Sequence, residues 1–216
     1  MAGETGTAGT ARTARAGTPA KGRALRARGQ ATLARLLEAG SDVFAAKGFH
    51  AARVDDVVKA AETSHGTFYL YFANKEELFQ ALAGEAAEEL GALAGSLGEL
   101  SPDAAGEAAL RTWIDAFADL FERYGAVLQT WIEAETDEMS VGILGTDVMG
   151  RLAASVAERI ETSSAAGLEP AVVALAIVAM VERFLYLRAS GQHRVSRSAA
   201  VDTLTTVTQA ALFGPT

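Results

Sequence analysis

Residues 64–78, SHGTFYLYFANKEEL, hold two helix starts ten residues apart, Ser64 before His65 and Asn74 before Lys75. Each is a short polar side chain that can accept from the free N–H groups of a first helical turn. Glu77, three residues beyond Asn74, resembles the second half of a capping box. The helix between the two starts, His65 to about Phe72, is too short to persist unless neighbours clamp it. Phe68 and Phe72, four apart, suit a small core, which turns the rest of that helix outward. Upstream, Val54, Val57, Val58 and Ala61 form one apolar face of another short helix, with Asp55 and Asp56 in its first turn where the helix dipole favours acids. Only Glu62, Thr63 and Ser64 connect the two. Two short helices across a tight turn, braced by a longer one, are a helix-turn-helix arrangement.

The brace is expected from Gln30 onward, where Leu33, Leu36, Leu37, Gly40, Val43 and Phe44 recur at steps of three and four, and Gly48 after Lys47 reads as a C-cap. Residues 1 to 28, rich in Gly, Thr, Ala and Arg without apolar periodicity, are expected to be a disordered basic tail. The helix starting at Asn74 should run to about Leu97, where Gly98 and Ser101-Pro102 mark a break. Leu110, Trp113, Ile114, Phe117, Leu120, Phe121 and Tyr124 make a strong stripe at helical spacing, and Gly125 is expected to separate it from a helix holding Val127, Leu128, Trp131 and Ile132. Further helices are expected from about Glu138 to Ser163, despite Gly142, Gly145 and Gly150, then Pro170 to Ala189 and Ser196 to Phe213. No run has strand periodicity. The pattern predicts an all-α chain of about nine helices, with an N-terminal helix-turn-helix domain at 29–76 and a helical bundle at 77–216.

A chain of 216 residues, half of them apolar, can bury a substantial core. It has no cysteine, which removes disulfides, thiolate metal sites and cysteine nucleophiles. The N-terminus lacks the apolar run of a signal peptide, and the greasiest stretch, Ala171 to Val181, is cut short by Glu182 and Arg183, so a cytoplasmic protein without a membrane partner is expected. Charge is unevenly placed. Residues 1–75 carry a net +5 and the remaining 141 a net −13, which together give the overall −8. A basic head on an acidic body would orient an approach to phosphates.

Between residues 30 and 80 the chain resembles the TetR family of bacterial transcriptional regulators. The match runs through Gly48-Phe49, Val57-Val58, Gly66-Thr67-Phe68-Tyr69, Tyr71-Phe72 and Lys75-Glu76-Glu77-Leu78. The resemblance implies a sequence-specific repressor, acting as a homodimer on double-stranded operator DNA with an inverted repeat and released by a small-molecule effector. By similarity, Ser64, His65, Gly66, Thr67, Tyr69, Tyr71 and Lys75 fall on positions that contact DNA. The residue chemistry agrees. His65 and Thr67 would meet base edges, Gly66 allows close approach, the tyrosine hydroxyls suit phosphate oxygens, and Lys75 offers a cation at a helix start. Three departures stand out. Ala52, Arg53 and Val54 replace the usual Thr or Ser, so that Arg53 keeps a phosphate contact while the cap is lost; Glu62 occupies a turn position where glycine is common; and Leu70 replaces a residue that is often polar.

Farther along, Trp113, Phe117, Phe121, Trp131, Met139 and Met149 are candidate lining for an apolar or flat aromatic effector, with packed core as the competing explanation. The helix from Pro170 is apolar nearly all round, and with the last helix it suggests a four-helix dimer interface through Val173, Ile177, Val181, Phe184, Leu204, Thr208 and Leu212. No nucleophile elbow, phosphate loop or metal-ligand spacing is present, so neither an enzyme, a cofactor nor a metal is expected. The runner-up reading is a helical small-molecule or lipid carrier that does not read DNA.

Overall fold

The computed structural model describes residues 19–133, 140–163, 169–189 and 194–214, with the backbone alone described at 19–26, 131–133 and 140–146. These residues form eight α-helices and no strand: α1 (Pro19–Lys47), α2 (Val54–Ala60), α3 (His65–Tyr69), α4 (Lys75–Ser96), α5 (Ala104–Glu133), α6 (Ser140–Glu161), α7 (Pro170–Ala189) and α8 (Arg197–Phe213). The all-α expectation holds. The break expected at Gly125 is a kink inside α5, where Tyr124 leaves helical geometry at φ −116° and ψ 17°.

One boundary differs more. Helix α1 begins at Pro19, inside the stretch expected to be disordered, while residues 1–18 lie outside the described set. Alanine, lysine and arginine are good helix formers and proline suits a first helical turn, so the backbone is helical upstream of the apolar periodicity that begins at Leu33. Apolar periodicity marks burial, not the end of a helix.

In the head, α1 supplies Leu36, Leu37, Val43 and Phe44 to the core, and α2 and α3 supply Val57, Val58 and Phe68. Phe44, Phe49 and Phe79 cluster with ring centroids 4.8–5.7 Å apart. Gly40 lets α1 press onto α4, since a Cβ there would sit 2.7 Å from Leu78 Cδ2. Gly48, at φ +76°, ends α1 in the left-handed conformation that glycine adopts without a Cβ clash.

Behind the head, α5 packs against α1, α4, α6, α7 and α8. Trp113, Phe117 and Phe121 stack along its buried face with centroids 5.6 and 5.5 Å apart, and the Trp113 indole N–H donates to the Leu93 carbonyl at 3.0 Å. Each such side chain removed from water contributes about 1.5–3 kcal/mol before entropy. Asp103 caps α5, its Oδ1 accepting from the backbone N–H groups of Ala105 at 3.1 Å and Gly106 at 2.9 Å. Helix α7 is 20 residues long and by length and composition apolar enough to cross a bilayer. Here it is a bundle helix, with Ala174, Ile177, Val178, Val181 and Leu185 buried.

Candidate nucleic-acid interface and the cleft behind it

Helix α3 is held from three sides so that one face is left over. Ser64 Oγ accepts from the Thr67 N–H at 3.1 Å and pairs with Thr67 Oγ1 at 3.0 Å, fixing the first turn. Phe68, fully buried, and Phe72 anchor the inner side. The outer side consists of His65, Gly66, Tyr69 and Leu70, spaced three and four apart, with Tyr69 57% and Leu70 82% exposed. An exposed leucine beside an exposed tyrosine on so short a helix is unusual for a surface with no partner. Leu70 was discounted in the sequence for want of a polar group, although its spacing from Gly66 places it on this same face.

The turn before α3 has a backbone signature. The Thr63 N–H donates to Val58 O at 2.9 Å and the Glu62 N–H to Lys59 O at 3.3 Å, a Schellman motif closing α2. Its left-handed position is Glu62, at φ +48°, the place where glycine was the expected residue. The start of α2 retains half of its cap. Arg53 is extended, and its N–H donates to Asp56 Oδ2 at 3.2 Å, while Asp56 Oδ1 accepts from Lys47 Nζ at 2.6 Å. The Lys47 ammonium, with the Arg53 N–H, holds the Asp56 carboxyl below the usual carboxylate range against the opposing effect of burial. Arg53 itself is exposed at the corner of the head.

Two residues expected at the phosphates are engaged internally. The Lys75 ammonium donates to the carbonyls of Phe49 at 2.9 Å, His50 at 3.1 Å and Ala52 at 3.1 Å, and lies 4.8 Å from the centroid of the Phe49 ring. An ammonium has three protons, and all three are used in holding the α1–α2 connection against α4. Lys75 thus staples the α1–α2 connection to the start of α4. Likewise Tyr71 is half-buried and its hydroxyl donates to Gly29 O at 3.1 Å, tying the segment that follows α3 to α1. Asn74 caps α4, its Oδ1 accepting from the Glu77 N–H at 2.8 Å, while Glu77 Oε2 accepts not from the Asn74 N–H of a capping box but from the Ala73 N–H one residue earlier, at 2.5 Å.

A cleft of about 1120 Å³ lies where head meets body, bounded by α1, α4, the α5 kink and the end of α7. Leu33, Leu37, Leu82, Phe121, Tyr124 and Tyr186 give it apolar and aromatic wall, and Glu38, Asp42, Glu85 and Glu122 give it acid. Because the kink frees a carbonyl, Arg123 O accepts from Ser41 Oγ of α1 at 2.7 Å, a direct tie between head and body. Tyr124 donates to Glu89 at 2.8 Å, and its ionisation is pushed up, first by burial and then by that bond. Of the four residues expected to line an effector pocket whose side chains are described, Phe121 alone borders this cleft. Trp113 and Phe117 are packed core, Met149 is partly buried against that core, the Trp131 side chain is among those not described, and Met139 lies outside the described residues.

The expected dimer residues also need correcting. Ile177, Val181, Leu204, Thr208 and Leu212 are buried within the protomer, because α7 and α8 use that face to pack on their own bundle. Val173 and Phe184 are half-buried. The large apolar side chains left outside are Val172 and Leu175 on α7, 63% and 62% exposed, and Val207 on α8, 46% exposed.

Comparison with known proteins places this geometry. The profile of the family "Bacterial regulatory proteins, tetR family" matches residues 36–82, the span from the inner half of α1 into α4. The uncharacterized HTH-type transcriptional regulators YdgC and YvdT of Bacillus subtilis are 40% and 45% identical to this chain, over 27% and 23% of it. Those matches span only 30% and 25% of the relatives' own lengths. The HTH-type transcriptional regulator EthR of Mycobacterium tuberculosis is 28% identical over 74% of this chain and 77% of its own. Among solved structures, a TetR-like transcriptional regulator from Rhodococcus sp. RHA1 superposes with a TM-score of 0.60 at 28% identity, covering 85% of this chain and 96% of that one. The fatty acid degradation regulator FadR from Bacillus halodurans shares the fold at 17% identity, with a TM-score of 0.62 over 84% of this chain and 96% of FadR.

Proposed function

We propose that the chain is a regulator of the TetR family, acting in the cytoplasm as a homodimeric repressor released from operator DNA by a small molecule. The observation that carries this reading is the outer face of α3. A five-residue helix is capped by Ser64 and pinned by Phe68, with His65, Gly66, Tyr69 and Leu70 turned to solvent. A helix so presented fits the major groove, its first residues at the base edges. Arg53 and the exposed Tyr69 hydroxyl serve the phosphates in this reading, Thr67 stands next to His65 at the entry, and Leu70 offers an apolar contact to a thymine methyl. Lys75 and Tyr71 contribute by holding the head rigid.

Two copies meet through the apolar strip left open on α7 and α8, around Val172, Leu175 and Val207. A two-fold pair of heads reads two half-sites in inverted orientation. The effector, an apolar or flat aromatic molecule, enters the seam cleft, where Phe121, Tyr124 and Tyr186 can stack on it and Leu33 and Leu37 of α1 complete the wall. Because α1 and α4 form one side of that cleft, a ligand that prefers a wider seam shifts the heads by its differential affinity for the two spacings.

The test is selection of genomic fragments by the purified chain at about 150 mM salt, where non-specific phosphate binding is weakened. The reading expects a few enriched sites sharing an inverted repeat. A folded dimer that enriches none overturns it and favours a carrier.

A further inference from the structure

Asp55 has no part in the motif that marks this head, yet it touches the residue best placed to read a base. Its Oδ1 lies 2.5 Å from His65 Nε2, across the turn from α2 to α3. Both side chains are largely exposed, at 75% and 54%, so burial does not force the contact. An ionised carboxylate only accepts, so the nitrogen facing it carries the proton. In a neutral imidazole the other nitrogen is then an acceptor. That nitrogen, Nδ1, has no hydrogen-bond partner among the described residues. His65 is the first residue of α3, the end of a reading helix that meets base edges.

We infer that Asp55 is a positioning residue that fixes the tautomer of His65, so that the ring offers Nδ1 as an acceptor and selects a base with an exocyclic amino group. In the major groove adenine N6 and cytosine N4 donate, whereas guanine O6 and N7 and thymine O4 only accept. An acceptor held in place favours adenine or cytosine at one position of each half-site, and a ring free to carry its proton on either nitrogen loses that preference. The inference rests on the DNA-reading function proposed above and assigns one element of its specificity.

The experiment selects bound sequences from a randomised duplex library at pH 8, where an ordinary histidine is neutral, using the full-length chain, His65→Ala, Asp55→Ala and Asp55→Asn. Anisotropy titrations on duplexes carrying each of the four bases at the position that depends on His65 then give the discrimination directly. The wild-type chain should favour adenine or cytosine there by about tenfold. Asp55→Ala should reduce that ratio to about threefold or less, leaving the other positions of the selected sequence unchanged. Asp55→Asn keeps the shape of the side chain and removes the charge that fixes the proton, so it should relax the same position without unfolding the head. Weaker or stronger binding to all sequences alike, with the base ratio preserved in both variants, overturns the inference. So does a wild-type preference for guanine or thymine at the His65 position. If the wild-type chain enriches no sequence at all, the DNA-reading function itself fails, and the inference with it.

Discussion

The head and the body of this molecule are both built from polar ties over an apolar core, but they place those ties differently. In the head, Lys75, Tyr71, Ser64, Asn74, Glu77 and Asp56 each bond to main chain, and most of these partners lie within a few residues or across one short connection. Such ties fix the backbone path and leave one side-chain face free. In the body some ties also reach main chain, as from Trp113 to Leu93 O, but the ionic ones run between side chains of different helices. Arg197 on α8 reaches Asp115, Asp119 and Glu122 on α5; Arg123 binds Glu89 on α4 with two nitrogens; Arg188 on α7 pairs with Glu122. These ties join helices that can still slide or tilt, since an exposed ion pair is worth about 0–1 kcal/mol and re-forms readily. A rigid head is thus carried on an adjustable frame, and the seam between them holds the cleft.

The sharpest way to break that comparison is at Lys75. If it is a staple, Lys75→Met strips three carbonyls of a charged donor and should cost about 3 kcal/mol, read as a lowered melting temperature in the absence of DNA. If its ammonium served phosphates instead, the melting temperature would hold and the salt dependence of DNA binding would flatten by about one counterion. In the body the corresponding sensitive point is a glycine, not a cation. A Cβ on Gly106 would lie 2.2 Å from Ser101 O, a backbone atom, so Gly106→Ala should destabilise by about 1–3 kcal/mol although alanine is the better helix former. Gly91 on α4 has nothing within 4 Å of the same position. Gly91→Ala should therefore stabilise by up to about 1 kcal/mol, and a loss there would mean that the helix surface is less open than it looks.

The same contrast explains which parts of the structure are legible in the sequence. Caps and turns are local, so Ser64, Asn74 with Glu77, Gly48 and the awkward Glu62 can all be read from neighbours three or four residues apart. Periodicity identified the buried faces of α1 and α5 correctly for the same reason. The internal bonds of Lys75 and Tyr71 were not foreseen because their partners, Phe49 to Ala52 and Gly29, lie 23 to 42 residues away, and only the fold brings them together. Most residues expected at a dimer face are buried within the protomer instead, because α7 is apolar on nearly every side and hydrophobicity cannot say which side faces its own bundle. The cleft was invisible altogether. Gly125 marks the kink at Tyr124, but the cleft also depends on where α1 crosses α5, which leaves no local pattern.

Glu62 offers a smaller, opposite-signed test. The head carries a left-handed glutamate in the Schellman turn ahead of α3, at a cost of about 1–2 kcal/mol. Glu62→Gly should recover about 1 kcal/mol of that in thermal unfolding without altering base preference. An unchanged melting temperature would mean that the glutamate is not strained, and a changed preference would mean that the strain itself helps aim α3.

The smallest effect is in pH, where head and body should respond with opposite sign. Asp56 in the head, bonded by Lys47 and the Arg53 N–H, has its carboxyl held below the ordinary value of 3.8. That contribution is complete above the unfolded value and is lost as pH falls through the lower folded one. In the body Glu182 is raised above 4.5 by burial, with Oε1 buried and unbonded, and Glu85 is raised by burial and by the nearby charges of Glu89 and Glu88. A raised carboxyl binds its proton more tightly folded than unfolded, so stability falls as pH rises from about the unfolded value through the folded one. Glu182→Gln, which removes the charge and keeps the shape, should thus raise the melting temperature at pH 7 and leave it nearly unchanged at pH 4. Asp56→Asn should lower it at pH 7 and matter progressively less below pH 4. Equal shifts at both pH values for Glu182→Gln would show that lost packing, and not a desolvated charge, governs that position, and the adjustable frame would then hold no charge that protonation can relieve there.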